Sequence, residues 1–160
     1  MATPSAISKS TIIQKIWENF YDQLVENVTS VSITGSTTVT IQTWTNSFPD
    51  KELDTKSDYP ILVVNSPTIN WENFTFRKKQ VNGNIVIDIY TTQSESADKF
   101  TDAIIDSIET YRDDLKTVRI TDVKLDSTDR DSAFRGAFKL HLSSINFKFK
   151  YIFQDTYVGS

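Results

Sequence analysis

Residues able to do chemistry are few in this chain. A single histidine, His141, stands between Leu140 and Leu142. An imidazole can act as a general base near neutral pH, but alternation with two leucines reads more simply as a strand residue on the face opposite them. Asp126, Asp129 and Asp131 fall at close spacing in the charged stretch from Asp126 to Gly136, in part like the alternating ligands of a calcium loop. The glycine and distal glutamate of such a loop are missing from Ala133 to Gly136, so a solvated loop is the simpler reading. The absence of cysteine excludes disulfides, thiolate zinc sites and thiol nucleophiles. Glycines stand alone at 35, 83, 136 and 159, and none builds a phosphate-cradling loop, a dinucleotide fingerprint or a Gly-x-Ser-x-Gly elbow. No catalytic residue, metal site or cofactor site is expected, and function is left to surfaces.

Surface recognition has better candidates. Of the three tryptophans, Trp17 reads as core, whereas Trp44 and Trp71 lie near strand ends beside loops, where they could anchor an interface. Carboxylates cluster twice, at Asp50, Glu52, Asp54 and Asp58 and again at Asp126, Asp129 and Asp131. The net charge is −4 and the isoelectric point about 5.0, which argues against general affinity for nucleic acid. Local basic clusters exist at Arg77, Lys78 and Lys79 and at Lys148 with Lys150.

These residues must be held by a fold of modest size. A chain of 160 residues suits one domain and can bury roughly 70% of its unfolded surface. The hydrophobic fraction of 38% is low, but aromatics supply 12% and large buried areas each. Residues 1–9 read as a loose N-terminus, 10–153 as the domain and 154–160 as a tail. Neither a leader pattern nor a membrane-length apolar run is seen, so a protein made in the cytoplasm, without membrane contact, is expected.

Within the domain, Ile13, Trp17, Phe20 and Leu24 recur at helical spacing, with Glu18, Asn19, Asp22, Gln23 and Glu26 on the other side. An amphipathic helix of about 16 residues follows, capped by Ser8 or Ser10. Val31 and Ile33, then Val39, Ile41 and Thr43, alternate around a turn at Gly35-Ser36, which predicts strands. Residues 45–58 read as a loop of unusual length. The apolar run Ile61 to Val64 predicts a central strand covered on both faces. Phe74, Phe76 and Lys78 share one parity of a further strand, Asn82-Gly83 reads as a hairpin turn, and Ile85, Ile87 and Ile89 face inward on the return strand. Ser94 would cap a second helix buried through Ala97, Phe100, Ile104, Ile108, Tyr111 and Leu115. In two closing strands, the parity change between Ile120 and Val123 predicts a bulge or bend near Thr121 and Asp122, and parity switches again at Ser143-Ser144. The fold class is α+β, a mainly antiparallel sheet with two helices packed on one face.

Three segments together carry a resemblance: Tyr59-Pro60-Ile61-Leu62-Val63-Val64, the hairpin around Asn82-Gly83, and Ile85 to Thr92 running into Ser94-Glu95-Ser96-Ala97. The pattern resembles that of tail-terminator proteins of long-tailed bacteriophages, also called tail-completion or head-to-tail joining proteins. Ile87-Asp88-Ile89-Tyr90-Thr91-Thr92 matches the strand of alternating aliphatic residues and Asp that enters a Ser/Glu-capped helix. The resemblance covers residues 10–153. It implies a virion protein, not an enzyme, that forms a hexameric ring at the head-proximal end of the tail. Its partners would be other copies of itself, the tail tube protein and the head connector, with DNA passing through the lumen without specific binding. Asp50, Glu52, Asp54 and Asp58, or Asp126, Asp129 and Asp131, would then line or border the lumen, and Trp44 and Trp71 would serve as interface anchors. Another neck or tail-tube component is the alternative, or a cellular ligand-binding or adaptor domain, which predicts an aromatic-lined concavity.

Overall fold

The computed structural model describes residues 3, 4, 7, 11–35, 37–46, 58–73, 78–135 and 138–154. Two helices, α1 (Ile12–Asn27) and α2 (Ser94–Lys116), accompany eight strands: β1 (Ser30–Ile33), β2 (Thr37–Thr40), β3 (Thr43–Thr45), β4 (Ile61–Val64), β5 (Thr68–Asn73), β6 (Lys78–Thr91), β7 (Ile120–Arg135) and β8 (Phe138–Gln154). The sheet runs β3-β4-β6-β8-β7, with β5 following β4 along the same side of β6. Among the described residues only β3 and β4 pair in parallel; every other pairing is antiparallel. The fold class is α+β, as expected.

Both helices lie on one face. Ile16, Phe20 and Leu24 of α1 and Phe100, Ile104, Ile108 and Leu115 of α2 are fully buried against Leu62, Val64, Ile85, Ile87, Ile89, Ile145 and Phe147 of the sheet. Neither helix carries a side-chain N-cap. α1 starts after Thr11, and Ser8 and Ser10 lie outside the described residues. α2 starts after Gln93, so Ser94 is its first helical residue, not its cap. Ser96, within that first turn, donates to the Gln93 carbonyl at 2.8 Å. Ile13, read as part of the buried stripe, is 47% exposed, while Asn19 and Gln23, read as solvent-facing, are buried. The core side of α1 is therefore turned toward α2, where Gln23 donates to Ser107 at 3.2 Å.

The ribbon β1–β2 turns at Gly35, whose φ of 89° suits glycine. The single strand expected through Thr43 is split. The Ile41 amide still bonds back to Thr29, but the Gln42 amide bonds to the Pro60 carbonyl, so the chain changes sheets between them. β4 is buried at all four positions, as its unbroken apolarity predicts. Ile61 and Val63 face away from the helices and join Tyr59, Phe138, Leu140 and Tyr90 in a second apolar cluster.

That second cluster explains one parity change. The register of β8 with β6 and with β7 is continuous through Ser143 and Ser144. No bulge lies there: Phe138 and Leu140 serve the far-face cluster, and Ile145 and Phe147 serve the helix-side core. The predicted bulge near Thr121 and Asp122 is present, between Thr121 and Lys124, with Asp122 at a φ of 51°. A further irregularity falls between Leu125 and Ser127.

Two local readings are corrected. Asn82-Gly83 is not a turn, since both residues pair with β5 and with β8 in mid-strand. The strand reverses between Asn73 and Lys78, so Lys78 belongs to the return strand, and Phe74 and Phe76 lie outside the described residues. Gly83 serves close packing: a Cβ there would come 2.4 Å from Phe149 Cζ. Asp126 to Arg135 is not a loop but the outer half of β7, paired with β8 from Ser127 to Arg135. Cross-strand pairing outcompetes the local turn character of its Asp and Ser residues. β8 also runs to Gln154, one residue beyond the expected domain boundary.

Candidate functional site

Asp126, Asp129 and Asp131 are brought to the far face of the sheet, away from the helices. Register places Asp129 opposite Ser144 and Asp131 opposite Leu142, and the bulge beside Leu125 turns Asp126 toward Lys148 at 3.2 Å and Asn146 at 3.3 Å. Asp122 pairs with Lys150 at 3.5 Å. Inward of them, Asp88 accepts from Ser144 at 2.5 Å and from Asn65 at 2.9 Å. Strand pairing spreads these carboxylates apart, and among the described residues no group of three or more His, Asp or Glu side chains could hold a metal ion. Asp58 is half-buried just ahead of Tyr59, and Asp50, Glu52 and Asp54 lie outside the described residues.

His141 lies on the helix side of β8, opposite Ser132 and Thr91, and so on the face predicted for it. Burial lowers its pKa from the ordinary value, Lys139 and Arg130 add to the effect, and Asp98 opposes it. The surrounding depression of about 280 Å³ is lined by Arg130, Asp131, Ser132 and Lys139. Arg130 reaches across to Asp98, and at 3.4 Å to Ser94, in the first turn of α2. Three basic side chains thus share one stretch of the hairpin, and no nucleophile is hydrogen-bonded to the imidazole among the described residues.

The hairpin formed by β7 and β8 overhangs the sheet. β6 pairs with β8 only as far as His141 opposite Thr91, so Ala133, Phe134, Lys139 and Leu140 extend beyond it. The overhang is anchored from below, where the rings of Tyr59 and Phe138 meet edge-on at 5.8 Å. On it, Phe134 is 80% exposed. β7 is also the last strand of the sheet, and all its residues from Lys124 to Phe134 are exposed.

At the other side of the sheet, α1 and β5 form an apolar groove of about 680 Å³. Ile13 and Trp17 make one wall, Ile69 and Trp71 the other. Trp17 is fixed by donating to the Val64 carbonyl at 2.6 Å and by stacking on Tyr21 at 4.5 Å. Trp71, a predicted anchor, is 52% exposed. Trp44, the other, packs half-buried against the main core beside β4. Phe134, Ile13 and Ile69 are surface residues that sequence reasoning missed. An aromatic inside the charged run from Asp126 to Gly136 was the available signal for Phe134.

No helix among the described residues is long and apolar enough to cross a membrane. No protein-family model matches the chain, and no curated protein matches it.

Proposed function

We propose that the chain is a structural protein of a long-tailed bacteriophage virion, forming a hexameric ring at the head-proximal end of the tail tube. The ring would end tube growth and give the head connector its docking surface. The reading comes from the resemblance in residues 59–64 and 85–97; the Asn82-Gly83 hairpin that also entered it is a mid-strand pair instead. The observation that carries it furthest is the β7–β8 hairpin: an open sheet edge with an overhanging, anchored tip that exposes Phe134. Such an edge invites pairing with another chain, and a large exposed ring beyond the sheet is a typical interface anchor. A ring needs two different patches that meet head to tail, and the hairpin and the groove between α1 and β5 are two such patches. Of the second carboxylate group expected at the lumen, Asp126 is held by Lys148, which leaves Asp129 and Asp131 as that group's candidates to repel passing DNA.

The test is assembly. The mass of the purified protein should reach that of a closed hexamer in light scattering, or the protein should cap growing tail tubes and shorten them in electron micrographs. Tubes of unchanged length, with no protein at their ends, would overturn the proposal.

A further inference from the structure

We propose that the Phe134 tip of the β7–β8 hairpin seats in the groove between Ile13, Trp17, Ile69 and Trp71 of a second copy, joining copies head to tail. This inference rests on the ring reading above and names its joint.

The placement of the two patches comes from strand register. Ile69 and Trp71 pair with Gly83 and Val81, in the first half of β6, whereas the hairpin tip lies past Thr91 at its other end. Val81 and Thr91 are ten positions apart, or about 33 Å along a strand. β5 and β8 also flank opposite sides of β6. A copy therefore cannot place its own tip in its own groove, and only a neighbour can.

The shapes are complementary. Phe134 stands out from the surface, and the groove is roomy enough for an aromatic ring and has two exposed apolar walls, Ile13 and Trp71. Both partners are held in advance, the tip by the Tyr59–Phe138 contact and the groove by the Trp17 bond to Val64. Little ordering then remains to oppose association.

Charge is complementary as well. Phe134 sits across from Lys139, with Arg130 and His141 further along the same side of the hairpin. The helix wall of the groove ends at Glu18, with Asp22 one turn on. Burial raises the pKa of Asp22, Glu18 beside it adds to the shift, and Lys15, paired with Glu18 at 2.7 Å, opposes it. Lys139 beside the aromatic tip, and His141 once protonated, would meet Glu18 and Asp22 and fix the orientation of the joint.

The natural chain lacks cysteine, so engineered disulfides report contacts cleanly. Phe134→Cys and Trp71→Cys are made singly and together. Mixed single variants should give an oxidised dimer that neither gives alone to the same extent, and the double variant a ladder of linked copies. Phe134→Ala should weaken self-association about 30-fold or more without lowering the melting temperature, because the ring is exposed. Rings or tube caps that form without the cross-link would overturn this joint and leave the ring reading standing. Failure of the wild-type protein to self-associate, both in solution and at tube ends, would overturn both.

Discussion

Gly83 shows how one residue can be misread for a physical reason. Asn-Gly is a strong turn signal because both residues tolerate positive φ, yet here neither is recorded with one. The pair lies in mid-strand, and the missing side chain is what matters. Phe149, 2% exposed and packed 5.9 Å from Phe20, lays its ring over the Gly83 backbone. A methyl at position 83 would fall 2.4 to 3.0 Å from three atoms of that ring. The ring cannot swing away without opening the core beside α1. Gly83→Ala should therefore cost about 1–3 kcal/mol in urea unfolding, although alanine ordinarily favours order over glycine. In a Phe149→Leu background the same substitution should cost much less, because the clashing ring atoms are gone. Strict additivity of the two costs would show that the ring does not constrain position 83.

At the scale of elements, the seam between α1 and α2 is polar where an amphipathic reading expects it to be apolar. Gln23 is 1% exposed and donates to Ser107, 8% exposed, while its Oε1 has no partner among the described residues. An unsatisfied buried acceptor is costly, whereas removing both polar partners together need not be. Ser107→Ala alone should lower stability by about 1–3 kcal/mol, since it strands the Gln23 amide as well. Gln23→Leu with Ser107→Ala should restore the wild-type melting temperature or exceed it, read by calorimetry. A double variant clearly less stable than the wild type would mean that the hydrogen bond is worth more than apolar packing at this seam.

The same seam marks the limit of what was legible in the sequence. The helical stripe of Ile16, Phe20 and Leu24 and the all-buried run Ile61 to Val64 follow directly from spacing and apolarity. So does the bulge at Thr121-Asp122, from the shift of apolar parity. Gln23 and Asn19 could not be placed, because a helix wedged between a sheet and another helix buries more than one stripe. The parity change at Ser143 was real but had two possible causes, a bulge or a second apolar face. Only the pairing of Phe138 and Leu140 with Tyr59 and Ile61 separates them. The outer half of β7 was hidden because its stability comes from β8, not from its own Asp and Ser residues. For the same reason the exposed Phe134 was passed over inside what read as a solvated loop.

At the scale of the whole molecule, a net charge of −4 conceals an uneven distribution that makes the proposed joint sensitive to pH. His141 faces Arg130 on β7, Lys139 on β8 and Asp98 on α2. Burial, followed by the Lys139 and Arg130 charges, holds its pKa below 6.5 in the single copy. In the joint, Glu18 and Asp22 of a neighbour would favour the protonated ring and raise that pKa. Association would then take up protons, and by linkage it must tighten as pH falls through the region of the histidine pKa. For the folding of a single copy the sign is opposite. A histidine whose folded pKa is depressed contributes stability above its unfolded pKa and loses it as pH falls through the folded value. Lowering pH from about 7.5 to about 5.5 should thus strengthen self-association by up to about fivefold, as befits one partly exposed charge pair. The melting temperature of the dilute single copy should fall slightly over the same range. Sedimentation at several concentrations reads the first effect and calorimetry at low concentration the second. His141→Gln should flatten both while leaving association near neutral pH intact, because the neutral ring contributes no charge there. If association of His141→Gln keeps the wild-type pH slope, the proton is taken up elsewhere, and the acidic flank of α1 does not face the hairpin tip.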